Sequence, residues 1–139
     1  MWWIYALFSA FFAALTAILA KIGIKGVDSN LATAVRTVVI LVLAWGIVWV
    51  RGGAAQVFTL SRTNLLFLGL SGVATGLSWV CYFRALQLGE VAQVAPVDKL
   101  SVALAILLSV AFLGEKLTWP MALGASLIIA GTLVLVLVK

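Results

Sequence analysis

The 139-residue chain has no histidine, one cysteine, two prolines and four acidic residues. Without histidine there is no imidazole to ligate a metal, and one cysteine is too few for a zinc or haem site. No metal or cofactor is expected. Cys81 has no partner for an internal disulfide and lies in an apolar run, so it reads as a small packing residue. Charged residues make up 9% of the chain, against roughly a quarter in soluble domains, which excludes a soluble globular fold. The net charge of +5 comes from nine Lys and Arg dispersed at run ends and in loops. That spread is not the clustered patch of a nucleic-acid binder, and no nucleic-acid partner is expected. No basic segment precedes the first apolar run, which continues to Ala20 and reads as a retained span rather than a cleaved leader. No catalytic motif stands out, so an enzyme is not expected.

What the chain does have is length of apolar sequence: 65% of it is hydrophobic. Five runs, at about residues 2–20, 31–50, 63–86, 91–113 and 119–138, are each long enough to cross a hydrocarbon core of roughly 30 Å. None shows the period-two alternation of a membrane barrel, so the spans are helices. The reading is a multi-pass, all-α integral membrane protein, a single five-helix bundle over residues 1–139 with the lipid bilayer as its solvent. Asp28-Ser29-Asn30 and Ser61 are placed to cap the second and third helices. Thr118-Trp119-Pro120 restarts the chain as the fifth helix. Trp2, Trp3, Trp49 and Trp119 sit at run ends, where indoles favour the interface.

Five is odd, so the termini face opposite sides. Arg51, Arg62 and Lys116 fall on the N-terminal side, and Lys21, Lys25, Arg84 and Lys139 on the other. Three against four is almost no orientation bias by the positive-inside rule, and insertion in both orientations is a live expectation. Small residues offer close approach between helices in lipid. Gly69, Gly72 and Gly76 lie on the third span, and Gly124 and Gly131, seven apart, on one face of the fifth. Those faces serve either packing within the chain or, for Gly124 and Gly131, contact with another subunit.

Ionisable groups inside a span are costly, at about 2.5–3.5 kcal/mol each on insertion scales, and mark functional positions. Asp98 is the only acid inside a span, and Ser101, Ala105 and Ser109 follow it at helical spacing on one face of the fourth run. Pro96 lacks an N–H, which kinks the helix and frees the Ala92 carbonyl beside that face. Lys99 falls about 100° away around an ideal helix, pointing elsewhere or snorkelling to the interface. Arg36 lies in the second span, and Trp79 and Tyr82 stand three apart on the third, available to stack on a substrate or simply to pack. The candidate substrate-binding or coupling residues are therefore Asp98, Lys99, Arg36, Ser101, Trp79 and Tyr82. Pro96 is the kink. The alternative for Asp98 is a structural ion pair with Arg36, Lys21 or Lys99.

Several short stretches, taken in order, resemble the EamA domain of the drug/metabolite transporter superfamily. They are Arg36 in the second span, Tyr82-Phe83-Arg84-Ala85-Leu86, the Gly89-Glu90-Val91-Ala92 turn, Pro96, Leu113-Gly114-Glu115-Lys116-Leu117-Thr118 and a glycine-containing last helix. Common members look like two such five-helix units fused with inverted topology, whereas this chain resembles one. The resemblance implies a bacterial or archaeal inner-membrane transporter that moves a small metabolite or drug-like solute by alternating access. It also implies a second copy, since a cavity between inverted repeats needs two. An antiparallel homodimer is the simplest form, and a heterodimer with a sister half serves equally. The small multidrug resistance proteins are similar four-helix relatives, but the glutamate of their first span is missing here, where Ala13 stands. Exchange of that type is not expected. Two rival readings are a lipid-linked substrate flippase and a non-transporting subunit of a larger membrane complex.

Overall fold

The structure is a computed structural model, and it describes residues 1–137. The end of the fifth run at Val138, and Lys139, lie outside the described residues. Among the described residues the chain is helical, with no strand. Six helices form: α1 (Trp2–Gly23), α2 (Ser29–Val50), α3 (Arg62–Leu88), α4 (Val91–Asp98), α5 (Leu100–Leu113) and α6 (Trp119–Leu137), with a short 3₁₀ helix at Ala54–Thr59. Taking α4 and α5 as one stretch, five segments are long and apolar enough to cross a membrane. The protein is an all-α, five-span membrane protein. Its buried apolar residues are few (Ala17, Ile24, Phe83, Leu86 and Ala103), while most large apolar side chains lie on the surface. That inversion is what a bilayer, rather than water, selects.

The chain divides into two compact units. One comprises residues Leu19–Gln87. Here α2 begins where Asp28 accepts hydrogen bonds from the N–H groups of Asn30 (2.9 Å) and Leu31 (3.1 Å), filling two of the donors a helix start leaves open. Thr33 and Thr37 donate their hydroxyls to the carbonyls of Ser29 and Thr33, each at 2.8 Å, so neither enters the apolar phase unpaired. Ser61 caps α3 by accepting from the Asn64 N–H at 3.1 Å. The connection between α2 and α3 winds into the 3₁₀ turn at Ala54–Thr59. At the other end of α3, Phe83 and Leu86 are buried, Leu86 completely.

The other unit comprises Met1–Ile18 and the chain from Leu88 onward. Here α6 packs against both α5 and α4. Gly114 closes α5 in the left-handed region (φ 68°), where a residue with a Cβ is strained, and its N–H and that of Glu115 both reach the Ser109 carbonyl. The fourth span is not one continuous helix. Pro96 sits inside α4, and three residues later the Lys99 N–H is shared between the Ala95 (3.3 Å) and Pro96 (3.1 Å) carbonyls. A donor that reaches both i−4 and i−3 marks a local tightening into 3₁₀ geometry. The helix restarts at Leu100.

Candidate functional site

Two groups of polar residues stand out, one in each unit. In the Leu19–Gln87 unit, Arg36 lies about 12 Å along α2 from its Asp28 cap at the helical rise. It reaches α3, with its guanidinium carbon 4.5 Å from the centroid of the Trp79 ring and 5.2 Å from that of Phe83. Phe83 in turn meets Tyr82 edge-on at 6.5 Å. A cation over an aromatic face gains roughly 0.5–2 kcal/mol depending on desolvation. Two such faces therefore offset much of the 2.5–3.5 kcal/mol that an arginine costs at membrane depth. This explains how a half-buried Arg36 is tolerated, because no acid pairs with it among the described residues. Its ring contacts engage the faces of Trp79 and Phe83 and leave the guanidinium without an acidic counter-charge among the described residues.

The expected trio of Arg36, Trp79 and Tyr82 is thus brought onto facing stretches of α2 and α3. The residue that reading missed is Phe83, which lies one step beyond Tyr82 and, unlike it, is buried and over the cation. Set between Tyr82 and Arg84, it gave no sequence signal of this role. A charge in an apolar run pointed only to the need for a partner, not to which ring supplies it.

In the other unit, Lys99 donates to the Asp98 carboxylate at 3.2 Å, with the two side chains 56% and 36% exposed. This is the structural pairing named as the alternative for Asp98, and Lys99 therefore does not point away from it. The 100° step holds for an ideal helix, but the pair straddles the point where α4 ends and α5 begins. Neighbouring residues can meet there as they do in a turn. The same break interrupts the stripe that was to join Asp98 to Ser101, Ala105 and Ser109. Ser101 is exposed one residue into α5, and Ser109 donates within its own helix, to the Ile106 carbonyl at 3.0 Å.

A further polar residue enters at the break from α6. Thr132, 5% exposed, donates its hydroxyl to the Pro96 carbonyl at 3.2 Å. The proline thus does more than free a carbonyl. It presents its own carbonyl to a neighbouring helix, and a hydroxyl in the apolar phase finds the acceptor it needs. A lone threonine in the last apolar run was the available sequence signal, though nothing in the spacing named its partner.

The glycines of α3 and α6 behave alike in one respect. A Cβ placed on Gly69, Gly72, Gly76, Gly124 or Gly131 meets no atom within 4 Å. The close approach that these residues permit is not used at those positions among the described residues. Among the described residues no group of three or more His, Cys, Asp or Glu side chains is gathered as a metal centre requires.

Residues 1–137 match the profile of the EamA-like transporter family. The chain is also 49% identical over 134 residues to an "Uncharacterized transporter in cobO 3'region" of Sinorhizobium sp, an alignment that covers 96% of this chain and 95% of that protein. The two proteins are therefore of nearly equal length. No solved structure matches this chain.

Proposed function

Because this chain belongs to the EamA-like transporter family, we propose that it moves a small metabolite or drug-like solute across the bacterial or archaeal inner membrane by alternating access, working as an antiparallel dimer. A membrane transporter rather than an enzyme is the general reading that the family carries. The finer reading rests on one observation above the others: Arg36 is held between α2 and α3 by Trp79 and Phe83 with no acidic partner among the described residues. A cation kept at membrane depth without a counter-charge is suited to meet the carboxylate or phosphate of an anionic or zwitterionic solute. Trp79 supplies an aromatic wall beside it, Tyr82 flanks the same stretch of α3, and the Asp98–Lys99 pair with Ser101 is the coupling group. Purified protein reconstituted alone into liposomes should accumulate such a solute. Movement of lipid headgroups instead would favour the flippase reading, and movement of neither would favour a subunit role within a larger complex.

The dimer is supported by size and by surface. A pathway between inverted repeats needs two five-span units, and both this chain and its Sinorhizobium relative have the length of one. The balance of three cations against four on the two faces permits insertion in either orientation. On α6 a Cβ added at Gly124 or Gly131 meets no atom within 4 Å, so these positions have room for a side chain to start outward from the helix. Leucine side chains there would fill the space a partner helix occupies. Gly124→Leu with Gly131→Leu should convert a dimer to a monomer on light scattering in detergent, with helicity unchanged. A dimer that survives both substitutions removes this face from the interface and leaves a sister half or another helix to supply it.

A further inference from the structure

In the Leu19–Gln87 unit a cavity of about 360 Å³ opens between the end of α1, the turn that follows it and the end of α3, lined by Lys21, Ile24, Lys25, Gly26, Val27 and Leu86 with Gln87. Two cross-links hold its walls. The Lys21 ammonium donates to the Leu86 carbonyl, and the Gln87 amide donates to the Val27 carbonyl at 2.6 Å. Gln87 also accepts from Arg84 at 3.1 Å through its other terminus, which places a third cation beside the cavity. Lys25, exposed in the turn, makes no hydrogen bond or ion pair among the described residues. The nearest acid in sequence, Asp28, is occupied with the amides of Asn30 and Leu31. The first and third spans cross the bilayer in the same direction, so their ends reach one membrane face. The cavity therefore combines a positive rim, an apolar floor at Ile24 and Leu86, and the depth of the lipid headgroups.

We propose that this cavity binds the phosphate of an anionic phospholipid, with Lys25 as its principal contact and with Lys21 and Arg84 adding positive potential. Basic pockets at span ends are suited to such headgroups, because the phosphate meets ammonium groups while the acyl chains stay along the apolar helices. A soluble anion would find the same charge but has no acyl chains to lie along the apolar helices. The site is separate from the Arg36 cradle and does not depend on what the transporter carries.

Full-length protein in nanodiscs, with phosphatidylglycerol mixed into phosphatidylcholine, provides the test, read by native mass spectrometry of retained lipids. The wild type should retain phosphatidylglycerol in preference to phosphatidylcholine, and Lys25→Gln should lower that preference about fivefold, the effect of removing one cation near the surface. Lys116→Gln, which removes a cation from the opposite face, should leave it intact. Because Lys25 holds no partner among the described residues, the variant should keep its thermal midpoint. An unchanged preference in Lys25→Gln, or an equal loss in Lys116→Gln, overturns the site. Displacement of the retained phosphatidylglycerol by millimolar inorganic phosphate overturns the lipid as its occupant.

Discussion

Replacing Arg36 with Gln should lower uptake of an anionic or zwitterionic solute by tenfold or more in proteoliposomes, with the loss concentrated at subsaturating substrate. Among the described residues the guanidinium is the one cation held inside a span by aromatic faces, over Trp79 at 4.5 Å and Phe83 at 5.2 Å. A hydrogen bond between charged groups contributes about 1.5–3 kcal/mol, and its loss corresponds to roughly 10–150-fold in affinity. Glutamine keeps a polar side chain of similar reach but neither the charge nor the ring interaction. Arg36→Lys separates these two features. An ammonium keeps the charge, whereas only the planar guanidinium stacks on a ring and presents a two-pronged edge to a carboxylate. The lysine variant should therefore recover part of the uptake but not all of it. A purely structural Arg36 gives a different pattern, in which both variants lower the thermal midpoint in detergent and uptake per folded molecule is unchanged. That pattern would remove Arg36 from the substrate path and leave Trp79 and Phe83 as packing for a buried cation.

The parts of the fold that composition and periodicity decide were legible in the sequence. Apolar runs of about 20 residues leave a bilayer-spanning helix as the only economical backbone. Asp28 and Ser61 cap α2 and α3 as their positions announce, since a short oxygen-bearing side chain ahead of an apolar run has little else to bond to. Pro96 was legible as a disturbance but not as to its consequence. Its missing N–H can be read from the sequence, whereas the tightening at Lys99 and the approach of Thr132 depend on which helix packs beside it. Sites proved less legible for the same reason. Arg36 was visible because a charge in an apolar run is conspicuous. Phe83 was not, because a phenylalanine in lipid-facing sequence looks the same whether it covers a cation or meets acyl chains. Of the two arrangements left open for Asp98 and Lys99, the ion pair formed, because helical-wheel angles assume an unbroken helix.

Asp98→Asn should abolish solute uptake driven by a pH gradient, a loss of at least tenfold, while exchange of solute across the membrane with no gradient continues. Coupling to protons requires a group in the pathway that can take up and release one, and Asp98 is the only acid within the five spans. Its position at the joint between α4 and α5 puts any change in its charge where the helix is already interrupted after Pro96. Protonation of Asp98 removes the counter-ion of Lys99, 3.2 Å away, and so alters the charge of the joint by one unit. The ion pair also provides the control. Asparagine leaves Lys99 without its partner, so a loss of uptake in that variant alone has two explanations: the missing proton carrier, or an uncompensated ammonium. Asp98→Asn combined with Lys99→Gln removes both charges and settles which one applies. If Asp98 carries the proton, the double variant remains uncoupled, because neither replacement side chain titrates. If the aspartate only balances the lysine, removing both restores gradient-driven uptake towards the wild-type rate. Restoration in the double variant would end the coupling assignment and return the pair to the structure of the joint.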